Sequence, residues 1–198
     1  MIRFSAHLSM LFTEHPPLGR PAAAAAAGFA LVESWWPPAD DLDAWVDAVR
    51  SAGVGVSCLN ADGGDIAAGE RGFCNLPERD DDTFAAVRAA LALAERVDCR
   101  AVNALPGLVV TGRSLGRQID HAVEVYRELG RLAAASGHTI VVEPINALDV
   151  PTYLLPTPPA VADLLRRVDH PNVRICSTPT TAPARKAIRS PTWDRSAN

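Results

Sequence analysis

Glu143 follows four β-formers, Thr139-Ile140-Val141-Val142, and precedes Pro144, Ile145 and Asn146. A short, continuously apolar run reads as a strand buried on both faces. Pro144 has no N–H to give a ladder, so pairing should stop there and the chain should turn outward. The carboxylate is then set at the carboxyl end of a buried strand, where open α/β sheets and (β/α) barrels carry their chemistry. Glu143 is therefore a candidate for chemistry, with an equal alternative, on these residues alone, of a glutamate that merely begins a loop. Glu70 and Arg71 lie in a long polar segment. A guanidinium matches carboxylate geometry, so the pair is a candidate for holding an acidic substrate; a salt bridge internal to the loop is the competing use. Asn103 ends another strand and either hydrogen-bonds substrate or satisfies its own loop. His7, on the first strand, either lines a pocket or is a satisfied interior histidine. Asn146 is expected to fix the turn after Pro144. Trp35 and Trp36 either wall a pocket or cover a sheet edge, and His15, His121, His138 and His170 are expected to face solvent.

The elements that must hold these residues alternate regularly. Strands are read at Phe4–Leu8, Ala30–Glu33, Val54–Leu59, Ala101–Leu105, Thr139–Val142 and from Val173 to Ile175. Helices are read at Pro21–Ala27, Asp40–Ala52, Asp80–Val97, Ser114–Ser136 and Pro159–Val168. Proline near the first helical turn and glycine past the last, as with Pro21 and Gly28, are the usual punctuation. The segment from Ala61 to Arg79 exceeds the about 12–15 residues beyond which a loop is usually functional or disordered. Strand–helix alternation is the signature of a parallel α/β sheet, open or closed into a barrel. No G-x-G-x-x-G and no P-loop is present, so a nucleotide fold has no support and the barrel is favoured.

Composition narrows the function classes. The chain has 198 residues, 48% hydrophobic and 21% charged, enough for one domain with a real core. A net charge of −4 and a pI near 5.7 give no basic footprint, so nucleic acid is not the expected partner. No apolar run approaches the roughly 18 residues of a membrane span, and Arg3 is followed by no apolar h-region. Cys58, Cys74, Cys99 and Cys176 show neither a CxxC pair nor zinc spacing and read as free thiols in a cytoplasmic protein. After Ile175 the periodicity ends: residues 176–198 carry Pro179, Pro183 and Pro191, several threonines and scattered basic residues. That composition reads as an irregular, disordered tail.

The chain resembles the hydroxypyruvate isomerase and 2-oxo-tetronate isomerase family of the xylose isomerase-like TIM barrels. The resemblance rests on Leu8-Ser9-Met10-Leu11-Phe12-Thr13-Glu14, on Gly69-Glu70-Arg71-Gly72 and on Asn103. It continues through Val142-Glu143-Pro144-Ile145-Asn146 and Pro171-Asn172-Val173-Arg174, in the family's order. It covers about the first 175 residues, so the expectation is a partial barrel over 1–175, with about six of eight strand–helix units. It implies isomerisation of a small hydroxy-carbonyl acid, of the hydroxypyruvate to tartronate semialdehyde type, through an enediolate. It also implies a divalent cation of the magnesium or manganese kind, with Glu143 as acid/base and metal ligand. Glu70, Arg71, Asn103 and His7 would bind substrate, His7 replacing an amide expected on the first strand.

The same resemblance marks a departure. Thr178 stands where the family's sixth-strand segment has an aspartate, and no residue answers to its eighth-strand glutamate. A neutral hydroxyl is a poor substitute for an anionic oxygen on a hard cation. The tail is accordingly read as a truncation, and as a possible frameshift product, that removes the partners of Glu143. Two alternatives follow: a catalytically inactive remnant or binding protein, and a sugar epimerase of the same superfamily. A sheet lacking strands leaves open edges, which a homo-oligomer would cover.

Overall fold

The computed structural model describes residues 3–37 and 41–176. Its strands are β1 (Ser5–His7), β2 (Leu31–Ser34), β3 (Gly55–Asn60), β4 (Ala101–Asn103), β5 (Thr139–Val142) and β6 (Val173–Ile175). Its α-helices are α1 (Arg20–Ala26), α2 (Leu42–Ala52), α3 (Asp80–Arg96), α4 (Leu115–Ala135) and α5 (Pro158–Val168). The helix punctuation works through side chains. Asp41 accepts from the Ala44 N–H ahead of α2, Ser114 from Arg117 ahead of α4, and Thr157 from Ala160 ahead of α5. Three aspartates, Asp80, Asp81 and Asp82, sit in the first turn of α3, where the helix dipole favours negative charge. Of the segment 176–198 read as an irregular tail, all but Cys176 lies outside the described residues.

All six strands are parallel and stand in the order β1-β2-β3-β4-β5-β6. Each strand thus lies beside its sequence neighbours, and the order never reverses. With right-handed crossovers, an unreversed order puts every helix on one face and leaves no switch point of the doubly wound kind. The sheet is therefore the wall of a (β/α)8-type barrel, here with six strands among the described residues. Helices pack beside their neighbours around its outside, α1 on α2, α3 on α4 and α4 on α5.

One expectation about the strands is corrected. In β5, Ile140 and Val142 are fully buried while Val141 is only half-buried. Val141 shares its face with Glu143 and with its register partner Asn103, which look into the barrel. The helix-facing side is closed; the inner side opens on a cavity. Burial on both faces was expected from the unbroken apolar run, but the interior is not filled at that level. Among the described residues β1 and β6 each have a single strand neighbour. Phe4, 76% exposed beside β1, and Ile175, 40% exposed in β6, mark these edges.

The core between sheet and helices is anchored by Tyr126 of α4, which is fully buried. Its hydroxyl donates to the Ala104 carbonyl at 2.6 Å, just past β4. Tyr126→Phe strips the carbonyl of that donor and is expected to lower stability by about 1–2 kcal/mol. At this chain length the loss reads as a fall of a few degrees in thermal unfolding. His138, expected in solvent, is buried at 3% exposure. Its Nδ1 meets Ser136 Oγ at 3.0 Å and its Nε2 lies 3.7 Å from Glu95. The tight turn from α4 into β5 draws the ring under the helices. No helix of the described residues is long and apolar enough to cross a membrane.

Candidate active site

The carboxyl ends of the strands surround a cavity of about 420 Å³, a size that suits a small-molecule ligand. Five strands or the residues just past them contribute chemistry-bearing side chains to it. They are His7 from β1, Glu33 from β2, Asn60 from β3, Asn103 from β4 and Glu143 after β5. A second space of about 340 Å³ shares Trp35, Asn60, Glu143 and Ile145 with the first and adds Arg71 and Asp62. Trp35 and Trp36 thus wall the pocket.

Glu143 is held from several sides. β5 ends at Val142, as the proline requires, and the Glu143 carbonyl accepts from the buried Tyr153 hydroxyl at 2.9 Å. Its Oε2 accepts from Asn103 Nδ2 at 3.1 Å, and the same amide nitrogen lies 3.2 Å from Asn60 Oδ1. The strand-end amides of β3 and β4 therefore fix the carboxylate in register. Asn146 does what was read for it: its Oδ1 accepts from the Leu148 and Asp149 N–H groups, closing the turn after Pro144.

Arg71 and Glu70, adjacent in sequence, part ways. Arg71 lines the space beside Glu143, its Nη1 donating to the Ile66 and Glu70 carbonyls. Among the described residues its guanidinium meets no carboxylate. Glu70 turns back into the loop, where its Oε2 accepts from the Asp65 N–H at 2.6 Å and its Oε1 lies 3.7 Å from Arg79. The long polar segment is thus a folded loop, pinned further by the Gly72 N–H on the Gly63 carbonyl at 2.9 Å.

Polar atoms without protein partners face the same region. His7 Nδ1 and Asn103 Oδ1 are buried with no hydrogen bond among the described residues. Buried polar atoms are normally satisfied, so a pair in a cavity wall invites a ligand. Burial pushes the His7 imidazole below its ordinary value and keeps it neutral. The ring stands edge-on to Trp35, centroids 5.6 Å apart. Burial likewise pushes up the Cys58 thiol, and it lifts Cys176 to about 11, with Glu143 and Glu33 adding to the shift. Neutral thiols are poor nucleophiles, so thiolate chemistry is not what this cavity offers.

Glu33 is the functional candidate that the sequence reading passed over. The signal was present: Leu31-Val32 runs into Glu33 as Ile140-Val141-Val142 runs into Glu143. What the sequence did not carry is the register. Between Val32 and Glu33 the β2–β3 pairing slips, passing over Ser57, so that Glu33 stands opposite Cys58 on one side and His7 on the other. Bulges of this kind re-aim side chains next to active sites.

The expected divalent cation was tested on the donor set. Hard cations want several convergent oxygens, about six. Glu33, Glu143 and Asp149 all line the cavity. Even so, no three His, Cys, Asp or Glu among the described residues converge so as to hold a cation. Asp149 is drawn aside by the Asn146 amide at 2.6 Å. The described residues do not fit a cation site by themselves.

Three comparisons bear on this geometry. A family model described as the xylose isomerase-like TIM barrel matches residues 21–179. A 2-oxo-tetronate isomerase of Cupriavidus necator is 39% identical over 158 residues, covering 78% of this chain and 60% of that protein. A hydroxypyruvate isomerase of Escherichia coli is 34% identical over 155 residues, with the same coverage of 78% and 60%. The crystal structure of an AP endonuclease, family 2, from Brucella melitensis is similar with a TM-score of 0.83 at 34% identity. That match covers 88% of this chain and 67% of the other. The present chain thus aligns with only 60% of the length of these two isomerases.

Proposed function

The chain belongs to the xylose isomerase-like TIM barrel family, and from that premise we propose that it isomerises a small hydroxy-carbonyl acid by proton transfer through an enediolate. The observation that carries this reading is the Glu143 carboxylate, fixed by Asn103 at the mouth of a cavity of small-molecule size. A carboxylate so held is placed to take a proton from the carbon beside a carbonyl and return it to the neighbouring carbon. The names of the two isomerase relatives point to the same substrate class, with hydroxypyruvate the first to try.

Arg71 supports an acidic substrate. It faces the space shared with Glu143 and has no carboxylate partner among the described residues. A substrate carboxylate would supply one, leaving the hydroxy-carbonyl end to Glu143. Hydrogen bonds to charged groups contribute roughly 1.5–3 kcal/mol. Arg71→Gln is therefore expected to raise KM by about 10- to 100-fold with kcat changed far less, measured by steady-state kinetics. His7 and Asn103, with their unpartnered buried atoms, would bond the substrate's oxygens. Glu70 would act on substrate only through the loop that carries Arg71.

The test is incubation with hydroxypyruvate in deuterated water, with and without added magnesium or manganese, followed by proton NMR. Protein-dependent formation of tartronate semialdehyde, with deuterium entering carbon, is the expected result. A folded protein that binds a substrate analogue yet gives neither would establish a binding protein instead.

A further inference from the structure

We propose that Glu33 is the second proton-transfer group of this site, acting on the oxygens of the hydroxy-carbonyl unit while Glu143 acts on its carbons. This rests on the isomerase reading above and assigns the half of the chemistry that one base does not supply. Moving a carbonyl by one carbon requires two exchanges, one between carbons and one between oxygens.

Position argues first. Glu33 in β2 and Glu143 just after β5 line the same cavity, with Asn60 and Asn103 on the two strands between them. The slipped register at Val32/Glu33 sets Glu33 in a row with His7 and Cys58. Ser57, the residue passed over, caps the irregularity by donating its hydroxyl to the Val32 carbonyl at 3.1 Å. The departure from regular pairing thus occurs at the residue whose aim matters.

Chemistry argues second. Among the described residues the Glu33 carboxyl has no hydrogen bond and no ion pair, although it is half-buried. The carboxyl opens onto the cavity, where a substrate oxygen can reach it. Burial holds its pKa above the ordinary carboxylate value. Around it stand His7 on β1, Cys58 on β3, Glu143 and Asp149 after β5, and Cys176 after β6. None of these brings a positive charge near neutrality, since burial keeps the His7 ring neutral. Two carboxyls whose surroundings differ, one bonded by an amide and one desolvated and unpartnered, divide the roles of base and acid.

The step balances. Glu143 takes the proton from the hydroxymethyl carbon, while Glu33 in its protonated form gives its proton to the carbonyl oxygen, forming the enediol. Glu33 then takes the proton from the neighbouring hydroxyl oxygen as the new C=O forms. Glu143 returns its proton to the former carbonyl carbon, and both groups end as they began. No electrons leave the substrate and no co-reactant is needed.

The test is Glu33→Gln, an isosteric change that cannot carry the proton. General acid–base groups contribute about 100- to 10,000-fold, so kcat/KM for hydroxypyruvate is expected to fall by at least about 100-fold. The alkaline limb that Glu33 imposes on the pH–rate profile should disappear from what activity remains. Stability moves the other way. With a folded pKa above the unfolded one, Glu33 detracts from stability as pH rises from the unfolded value to the folded one. Glu33→Gln should therefore match wild type in thermal unfolding at acid pH and exceed it near neutrality. A stable variant with lost turnover supports the proposal. Full turnover in Glu33→Gln, or a drop in its thermal stability at neutral pH, overturns it. A wild-type protein with no turnover instead overturns the isomerase reading, and this inference with it.

Discussion

Glu143→Gln is expected to lower kcat/KM for hydroxy-keto acid isomerisation by roughly a thousand-fold while leaving the fold and KM nearly unchanged. Glutamine keeps the shape and can still accept from Asn103 Nδ2 through its amide oxygen, so the β3–β4–β5 register of amides survives. The Tyr153 hydroxyl bonds the Glu143 main chain and is indifferent to the side chain. What disappears is the group placed to hold the carbon-bound proton. Glu33, which lines the same cavity, is assigned to the substrate's oxygens. His7 has its pKa pushed down, the Cys58 and Cys176 thiols have theirs pushed up, and Asp149 is held by Asn146. Separate kcat and KM values, with thermal unfolding as a control, decide the matter. A variant retaining a tenth or more of wild-type kcat removes Glu143 from the chemistry.

The parts of this site legible in the sequence were those fixed by local rules. Pro144 cannot extend a ladder, so the strand had to stop at Val142 and hand Glu143 to the mouth of the sheet. Asn146 could be read as a turn former because an asparagine amide bonds the backbone two and three residues on. The parallel sheet follows from alternation and right-handed connections, while the barrel order was favoured over an open one by the missing nucleotide motifs. What escaped was set by contacts between distant segments. Nothing local to Glu70-Arg71 says which of the two looks into the cavity; that depends on how the loop docks against the end of β4. Glu33 carries the same strand-end pattern as Glu143, but its aim depends on a one-residue slip against β3. His138 was misjudged because its burial comes from the α4–β5 turn and from Glu95 on α3, not from its own surroundings in sequence. The double burial of β5 was misjudged because an unbroken apolar run does not reveal whether the barrel interior is filled at that level.

That docking makes Gly72→Ala the second large effect, expected to cost on the order of 3–5 kcal/mol. Gly72 has φ +85°, a conformation that alone disfavours alanine by about 1–2 kcal/mol. A Cβ built there would stand 2.0 Å from the Leu105 carbonyl oxygen and 2.6 Å from its carbon. Those atoms cannot yield easily. The same oxygen accepts from Cys74 Sγ at 3.3 Å, and the preceding Ala104 carbonyl is held by Tyr126. The loop must therefore lift, breaking the Gly72 N–H bond to Gly63 and carrying Arg71 away from the cavity. Gly69 supplies the internal control. It lies in the same loop with φ +98°, but a Cβ there meets nothing within 4 Å. Gly69→Ala should show only the backbone penalty, about 1–2 kcal/mol, with KM near wild type. Gly72→Ala should lower the unfolding midpoint by on the order of 10 °C and raise KM as Arg71→Gln does. Equal midpoints for the two variants would mean that the loop does not depend on the close approach of Gly72 to β4. A Gly72→Ala protein with normal KM would mean that Arg71 reaches its substrate by another route.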